Sequence, residues 1–154
     1  MNIDQDLGKV APQVYQSKIN VPYSWWAGDT AAAFFARLAE KSIVAGRCEA
    51  CGAVSVPPRK ACPGCGGGAI AEKALPGGGT VTGFTVARRK LAALGTKKVP
   101  VIFALIALDG ADNAFLHILD CCAPEDVKIG MRVRPVFADD PKGGILDIAH
   151  FEPT

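Results

Sequence analysis

Four of the six cysteines in this chain are spaced for one kind of chemistry. Cys48 and Cys51 are followed by Gly52, Cys62 and Cys65 by Gly66, and ten residues separate Cys51 from Cys62. Two residues between cysteines make a turn tight enough to bring two thiolates to one ion, and a second such turn completes a tetrahedral set. Four thiolates leave no open coordination position, which is the composition of a structural zinc site. A glycine after each pair suits the sharp turn that aims backbone N–H groups at sulfur. Redox thiols or two disulfides are the other use of these residues. One pair alone would leave that open; two pairs, each followed by glycine, favour metal, as does the reduced state of cytoplasmic thiols.

The remaining candidates for chemistry are sparse. No acidic residue occurs between Lys73 and Leu108, while Lys73, Arg88, Arg89, Lys90, Lys97 and Lys98 all fall in that window. Arg88, Arg89, Lys90, Lys97 and Lys98 cluster in or beside one expected loop, where they offer charge for a pyrophosphate, a 3′-phosphate or a nucleic-acid backbone. The bland reading is a solvated loop, and no glycine-rich cradle accompanies the charges. The two histidines are His117 and His150. His117 alternates in phase with Phe115 and Leu119, which predicts a packed core histidine. A nucleophilic thiol at Cys121 or Cys122 needs a nearby base, and His117 is the expected one. Asp120, Asp139 and Asp140 read as turn residues. No Ser-His-Asp or Cys-His set emerges, so the sequence offers no credible active site.

The elements that must carry these residues are mostly strands. Asp29 or Thr30 is placed to cap a helix running to about Lys41, with Phe34, Phe35 and Leu38 on one face. Val21 to Gly28, just before it, holds both tryptophans. These rings either cap a small core or anchor a partner, a role for which Trp and Tyr are enriched. Val54 and Val56 suit a short strand between the cysteine pairs, ended by Pro57-Pro58. Pro76 to Gly79 marks a boundary. Strands are expected over Thr80–Arg88, Val99–Leu108, Ala114–Leu119, Met131–Ala138 and Gly144–Phe151, the last with Leu146 and Ile148 inward. In the first, the apolar phase shifts across Gly83, the mark of a β-bulge. In the second, the apolar run is nearly continuous, so both faces need cover. Five short strands with a bulged first one predict a small closed barrel of the OB type.

The resulting fold class is mainly β: an N-terminal arm and helix over 1–45, a four-cysteine zinc ribbon over 46–75 and a five-stranded OB-fold barrel over 76–154. With 154 residues and 49% hydrophobic content, the chain has enough apolar material for a core. No run of about eighteen apolar residues is present, so no span is expected. Met1 to Gly8 carries Asp4 and Asp6 and no apolar stretch, which argues against a signal peptide and for a cytoplasmic location. The formal charge is +2. Four thiolates lower it by four and a divalent ion returns two, leaving it near zero, whereas proteins that neutralise many phosphates carry an excess of Lys and Arg.

Several stretches, in this order and spacing, resemble one family. They are Tyr23 to Gly28, Gly46-Arg47-Cys48, the two cysteine turns with Val56-Pro57-Pro58-Arg59 between them, Gly79 to Thr85, and Ile129 to Val133. The family is that of acyl-CoA-associated proteins joining an N-terminal helical segment, a rubredoxin-like zinc ribbon and an OB-fold. The resemblance covers roughly Tyr23 to Phe151. It implies a non-catalytic accessory subunit of a CoA-thioester enzyme, in the first place a thiolase, with the benzoylsuccinyl-CoA type as a specific case. It further implies one structural zinc on Cys48, Cys51, Cys62 and Cys65, and a coenzyme A thioester as shared substrate. Docking to a thiolase-like catalytic subunit would use Trp25, Trp26, Phe34 and Phe35. Relatives often place an aromatic after the second cysteine turn, where this chain has Gly68 to Glu72. That departure predicts looser packing between ribbon and barrel. The alternative function is a nucleic-acid-binding ribbon and barrel module, which would need exposed aromatics on barrel strands two and three. Phe103 and Phe115 are the only candidates, and both sit among apolar neighbours. Nucleic acid and membrane are therefore not expected partners.

Overall fold

In the computed structural model, which describes residues 11, 13–89 and 99–154, helix α1 spans Asp29–Ala39. Its N-cap is Gly28 with φ of 83°, and no side chain caps it. The expected cap at Asp29 or Thr30 is thus displaced by one residue. Asp29 is instead the first helical residue, where its charge complements the positive helix end. Phe34 and Leu38, one turn apart, are buried, and Phe35 packs at the edge of the same core. Before the helix, residues 13–26 form no regular element and are exposed.

Three short strands follow: β1 (Val44–Cys48), β2 (Val54–Ser55) and β3 (Ile70–Ala74), antiparallel in the order β2-β1-β3. This small sheet carries both cysteine turns. The other five strands are β4 (Gly79–Ala87), β5 (Val101–Leu108), β6 (Ala114–Leu119), β7 (Arg132–Phe137) and β8 (Ile148–Pro153). They close into a barrel in the order β4-β5-β6-β8-β7. The expected five-stranded closed barrel is therefore present. The β4–β5 register slips between Val81 and Gly83, the bulge foreseen from the apolar phase shift. Gly79 starts β4 opposite Leu108 of β5. A Cβ there would lie 2.6 Å from Ile106 Cγ2 and 2.8 Å from the Ala107 carbonyl oxygen, so only glycine fits.

The last strand differs from expectation. Residues 145–147 form a single 3-10 turn, and β8 starts at Ile148. Leu146 is exposed on that turn, while Ile148 and Phe151 are buried. Asp147 organises the turn. Its carboxylate accepts bonds from the backbone N–H groups of Lys142, Gly143 and Gly144 at 2.8, 2.8 and 3.2 Å. The Lys142 bond contributes most to holding it below the usual carboxylate range.

Ribbon and barrel share one core. Val44, Val54, Val56 and Leu75 from the ribbon side belong to the same buried cluster as Val81, Ile106, Leu108 and Phe151. The loop between β5 and β6 reinforces the contact. Asp112 accepts from the Val54 N–H at 2.7 Å, and its own N–H donates to the Val54 carbonyl at 2.8 Å. With no aromatic between Gly68 and Glu72, the contact between ribbon and barrel runs through the β5–β6 loop at the edge of β2. At the barrel's other seam, Arg132 makes a two-point bond to Asp109 at 2.8 and 2.6 Å.

Candidate functional site

The two cysteine turns face each other across the ribbon. In each, a glycine closes the turn in the left-handed region: Gly52 with φ 77° and Gly66 with φ 73°. Their N–H groups donate to the carbonyls of Cys48 and Cys62 at 2.9 and 3.0 Å. Cys48 and Cys62 are buried, Cys51 and Cys65 exposed. The four sulfurs all lie within 4.8 Å of one another, with Cys48–Cys65 at 3.7 Å and Cys51–Cys62 at 3.5 Å. A tetrahedron with metal–sulfur bonds of about 2.3 Å has edges of about 3.8 Å, close to these separations. A disulfide brings its sulfurs to about 2.05 Å.

The electrostatics fit a cation at the centre. Backbone N–H groups of Cys65 and Gly64 point at the Cys62 sulfur and pull its thiol down to about 6. The Ala53 N–H does the same for Cys51, but the crowded neighbouring thiols outweigh it and push Cys51 up to about 12. Four thiolates so close cannot all ionise beside one another, and a divalent ion removes that conflict. The residues therefore fit a structural zinc, which would supply folding energy and no open position for chemistry.

The basic cluster is partly placed. Arg88 and Arg89 are exposed and follow directly on β4. Lys90, Lys97 and Lys98 lie outside the described residues. The β4 end is informative through its register: Ala87 pairs with Val101, and Ile102 pairs with Leu119. Val101, Ile102 and Leu119 line a cavity of about 340 Å³ whose polar residues are Asp120, Cys122 and His150. Arg88 and Arg89 thus leave the barrel at the end where Val101, Ile102 and Leu119 line this cavity.

His117 is a core residue, as its phase predicted. It is 5% exposed, stacks on Phe115 and meets Phe151 edge-on, both at 5.7 Å between ring centres. Burial holds its pKa below the usual imidazole value. Its Nε2 lies 3.2 Å from the Ile145 carbonyl, while Nδ1 has no hydrogen-bond partner. It is not the base nearest the vicinal thiols. That position belongs to His150, whose Nε2 is 3.6 Å from Cys121 Sγ. Sequence spacing gave no sign of this pairing, because it depends on the parallel contact of β6 with β8.

The docking residues divide. Trp25 and Trp26 are 73% and 76% exposed, and Tyr23 80%. Phe34 is 2% exposed, so it cannot meet a partner: the helix spends that face on its own chain. Leu105 and Leu116, cross-strand neighbours on β5 and β6, are also exposed. The second face of the apolar β5 run is therefore not fully covered by this chain. Phe115 is buried, which removes one of the two aromatics a single-strand reader would need.

No helix among the described residues is long and apolar enough to cross a membrane. Comparison with known proteins matches residues 35–71 to the family model described as the ChsH2 rubredoxin-like zinc ribbon domain. Residues 72–138 match the ChsH2 C-terminal OB-fold domain. A DUF35 domain-containing scaffold protein of Methanocaldococcus jannaschii is 33% identical over 116 residues, covering 72% of this chain and 81% of that protein. Two solved structures share the fold. One, described as the Ltp2-ChsH2(DUF35) aldolase, gives a TM-score of 0.63 at 24% identity over 79% of this chain and 92% of the other. The second, a DUF35 family protein of unknown function from Sulfolobus solfataricus, gives 0.61 at 21% identity over 82% and 87%. With its four-cysteine ribbon, its closed barrel and this degree of identity, the chain belongs to the DUF35 family of ChsH2-type zinc ribbon and OB-fold proteins.

Proposed function

We propose that this chain is a non-catalytic accessory subunit that scaffolds a thiolase-like enzyme acting on CoA thioesters. The division of labour follows the sequence: 1–45 docks the catalytic subunit, 46–75 is the zinc-folded ribbon, and 76–154 faces the acyl-CoA. The observation that carries the reading is the uncovered aromatic segment before α1. Tyr23, Trp25 and Trp26 are exposed, and none of them belongs to the buried core cluster. Large exposed aromatics of this kind mark protein interfaces. The archaeal relative is a scaffold protein by its description, and the solved relative is described as an aldolase that includes a ChsH2 component.

The acyl-CoA assignment is supported by the barrel end. Arg88 and Arg89 would meet the CoA phosphates, with Lys90, Lys97 and Lys98 on the same connection. The cavity bounded by Val101, Ile102 and Leu119 would accept the acyl or pantetheine portion. A thiolase of aromatic degradation, of the benzoylsuccinyl-CoA type, is the specific form of this reading.

A tagged chain isolated from its native host, with bound proteins identified by mass spectrometry, tests the proposal. Recovery of a thiolase-like chain at fixed stoichiometry is expected, and thiolysis is then the activity to assay. Recovery of nucleic acid with no CoA enzyme would overturn it.

A further inference from the structure

A second group of metal-ligating side chains lies on the barrel, away from the ribbon. Cys121, His150 and Glu152 present Sγ, an imidazole nitrogen and a carboxylate oxygen, all within 4.8 Å of one another. We infer that these three residues form a second binding site for a borderline-soft divalent cation of the zinc type.

The backbone builds the group from two strands. His150 and Glu152 alternate on β8, so their side chains project from the same face. Cys121 follows β6, and the parallel contact Leu119↔Phe151 brings the end of β6 alongside β8. The Asp120 N–H donates to the Phe151 carbonyl at 2.9 Å, fixing the residue before Cys121 directly across from the two ligands. Cys121 itself adopts φ of 61°, a left-handed conformation that is costly for a residue with a Cβ. The Asp120 carboxylate holds it there by accepting the Cys121 N–H at 2.9 Å.

The distances suit coordination. With metal–sulfur and metal–nitrogen bonds of about 2.3 and 2.05 Å, a tetrahedral ion sets S···N at about 3.6 Å. The Cys121 Sγ to His150 Nε2 separation is 3.6 Å. Glu152 is held by Arg134, its partner across the β7–β8 ladder. Arg134 Nε donates to Oε1 at 2.9 Å, and its Nη2 pairs with the same oxygen at 2.6 Å. A supporting bond of this kind on a ligating carboxylate is the usual outer-shell arrangement. Thiolate, imidazole and carboxylate together select zinc-like ions over magnesium or calcium. Three protein ligands leave one position for water or a ligand, unlike the closed ribbon site. His150 also lines the cavity at the barrel end, so that position would lie at its margin. Binding transfers the Cys121 proton to solvent.

The site is tested on the full-length chain with its ribbon zinc in place, so the result is independent of any partner. Zinc is added, excess is removed by dialysis, and metal per chain is measured. Two equivalents are expected in wild type and one in Cys121→Ser and in His150→Ala, with Cys122→Ser retaining two. Matching thermal melts keep misfolding out of the comparison. In parallel, zinc should protect exposed Cys121 from alkylation at least tenfold in wild type and not in His150→Ala, read by peptide mass spectrometry. A wild-type chain that stops at one equivalent, or a second equivalent that survives both Cys121→Ser and His150→Ala, overturns the inference.

Discussion

Asn113 grips Val56 by both polar groups of its backbone: Oδ1 accepts the Val56 N–H at 2.8 Å, and Nδ2 donates to the Val56 carbonyl at 2.7 Å. One side chain thus imitates a strand residue and continues the edge of β2 from the barrel side. Val56 is 1% exposed, so water has little access to either group. Asn113→Ala should cost about 1–3 kcal/mol for each group left unpaired. Asn113→Asp keeps the acceptor but sets a carboxylate oxygen against the Val56 carbonyl, and should be at least as destabilised as Asn113→Ala in urea unfolding. Equal stability of all three would show that ribbon and barrel do not depend on this contact.

Zinc should stabilise the barrel as well as the ribbon. A structural site is worth about 10–16 kcal/mol of apparent binding energy. Val54, Val56 and Leu75 lie in the same cluster as Val81 and Leu108, so losing the ribbon exposes one side of the barrel's core. Cys62→Ser, or chelation of wild type, is expected to remove the ribbon zinc and lower the melting temperature of the whole chain. An unchanged melt in zinc-free protein would separate the two parts energetically.

Acid should act through His117 and Asp147. Burial depresses His117 from its ordinary 6.5, so the unfolded chain takes up that proton first. Its contribution is complete above about 6.5 and is lost as pH falls toward the lower folded value. Asp147, depressed chiefly by the Lys142 N–H, acts with the same sign at lower pH. Its contribution is present above the ordinary carboxylate range and lost as pH drops through the folded value. His117→Phe should flatten the stability curve just below 6.5. Asp147→Asn should flatten the more acidic part and cost about 1–3 kcal/mol at neutral pH. Parallel curves for all three proteins would contradict both assignments.

What the sequence made legible was local or periodic. The cysteine spacing, the phase shift at Gly83 and the strand over Ala114–Leu119 each lie within a short window, and each is present as read. The readings that moved were those needing contacts distant in sequence. The apolar stripe of α1 shows that Phe34 will be buried but not against what, and it is this chain that buries it. Leu146 alternates correctly with Ile148, yet the three bonds to Asp147 curl that segment into a turn before β8 begins. Cys121 meets His150 rather than His117 because β6 and β8 run parallel, and β7 intervenes between them in the chain. Asn113 carries no pattern at all: a polar residue in a hairpin loop becomes structural only when another sheet edge arrives beside it.

The tryptophans and Phe34 should therefore separate assembly from folding. Trp25 and Trp26 are exposed and add nothing to the buried cluster, whereas Phe34 is 2% exposed within it. Truncating a buried phenylalanine costs about 3–5 kcal/mol. Truncating an exposed ring away from structural features stays within about 0.5 kcal/mol, while an interface anchor loses about 2 kcal/mol or more of binding. Phe34→Ala should lower the melting temperature of the isolated chain and reduce partner recovery only through misfolding. Trp25→Ala with Trp26→Ala should leave the melt unchanged and reduce recovery of a thiolase-like subunit at least tenfold, measured by co-purification at matched expression. If the double tryptophan variant melts like wild type and still recovers the partner fully, the aromatic segment is not the docking surface, and the exposed pair Leu105 and Leu116 on the barrel wall becomes the surface to mutate next.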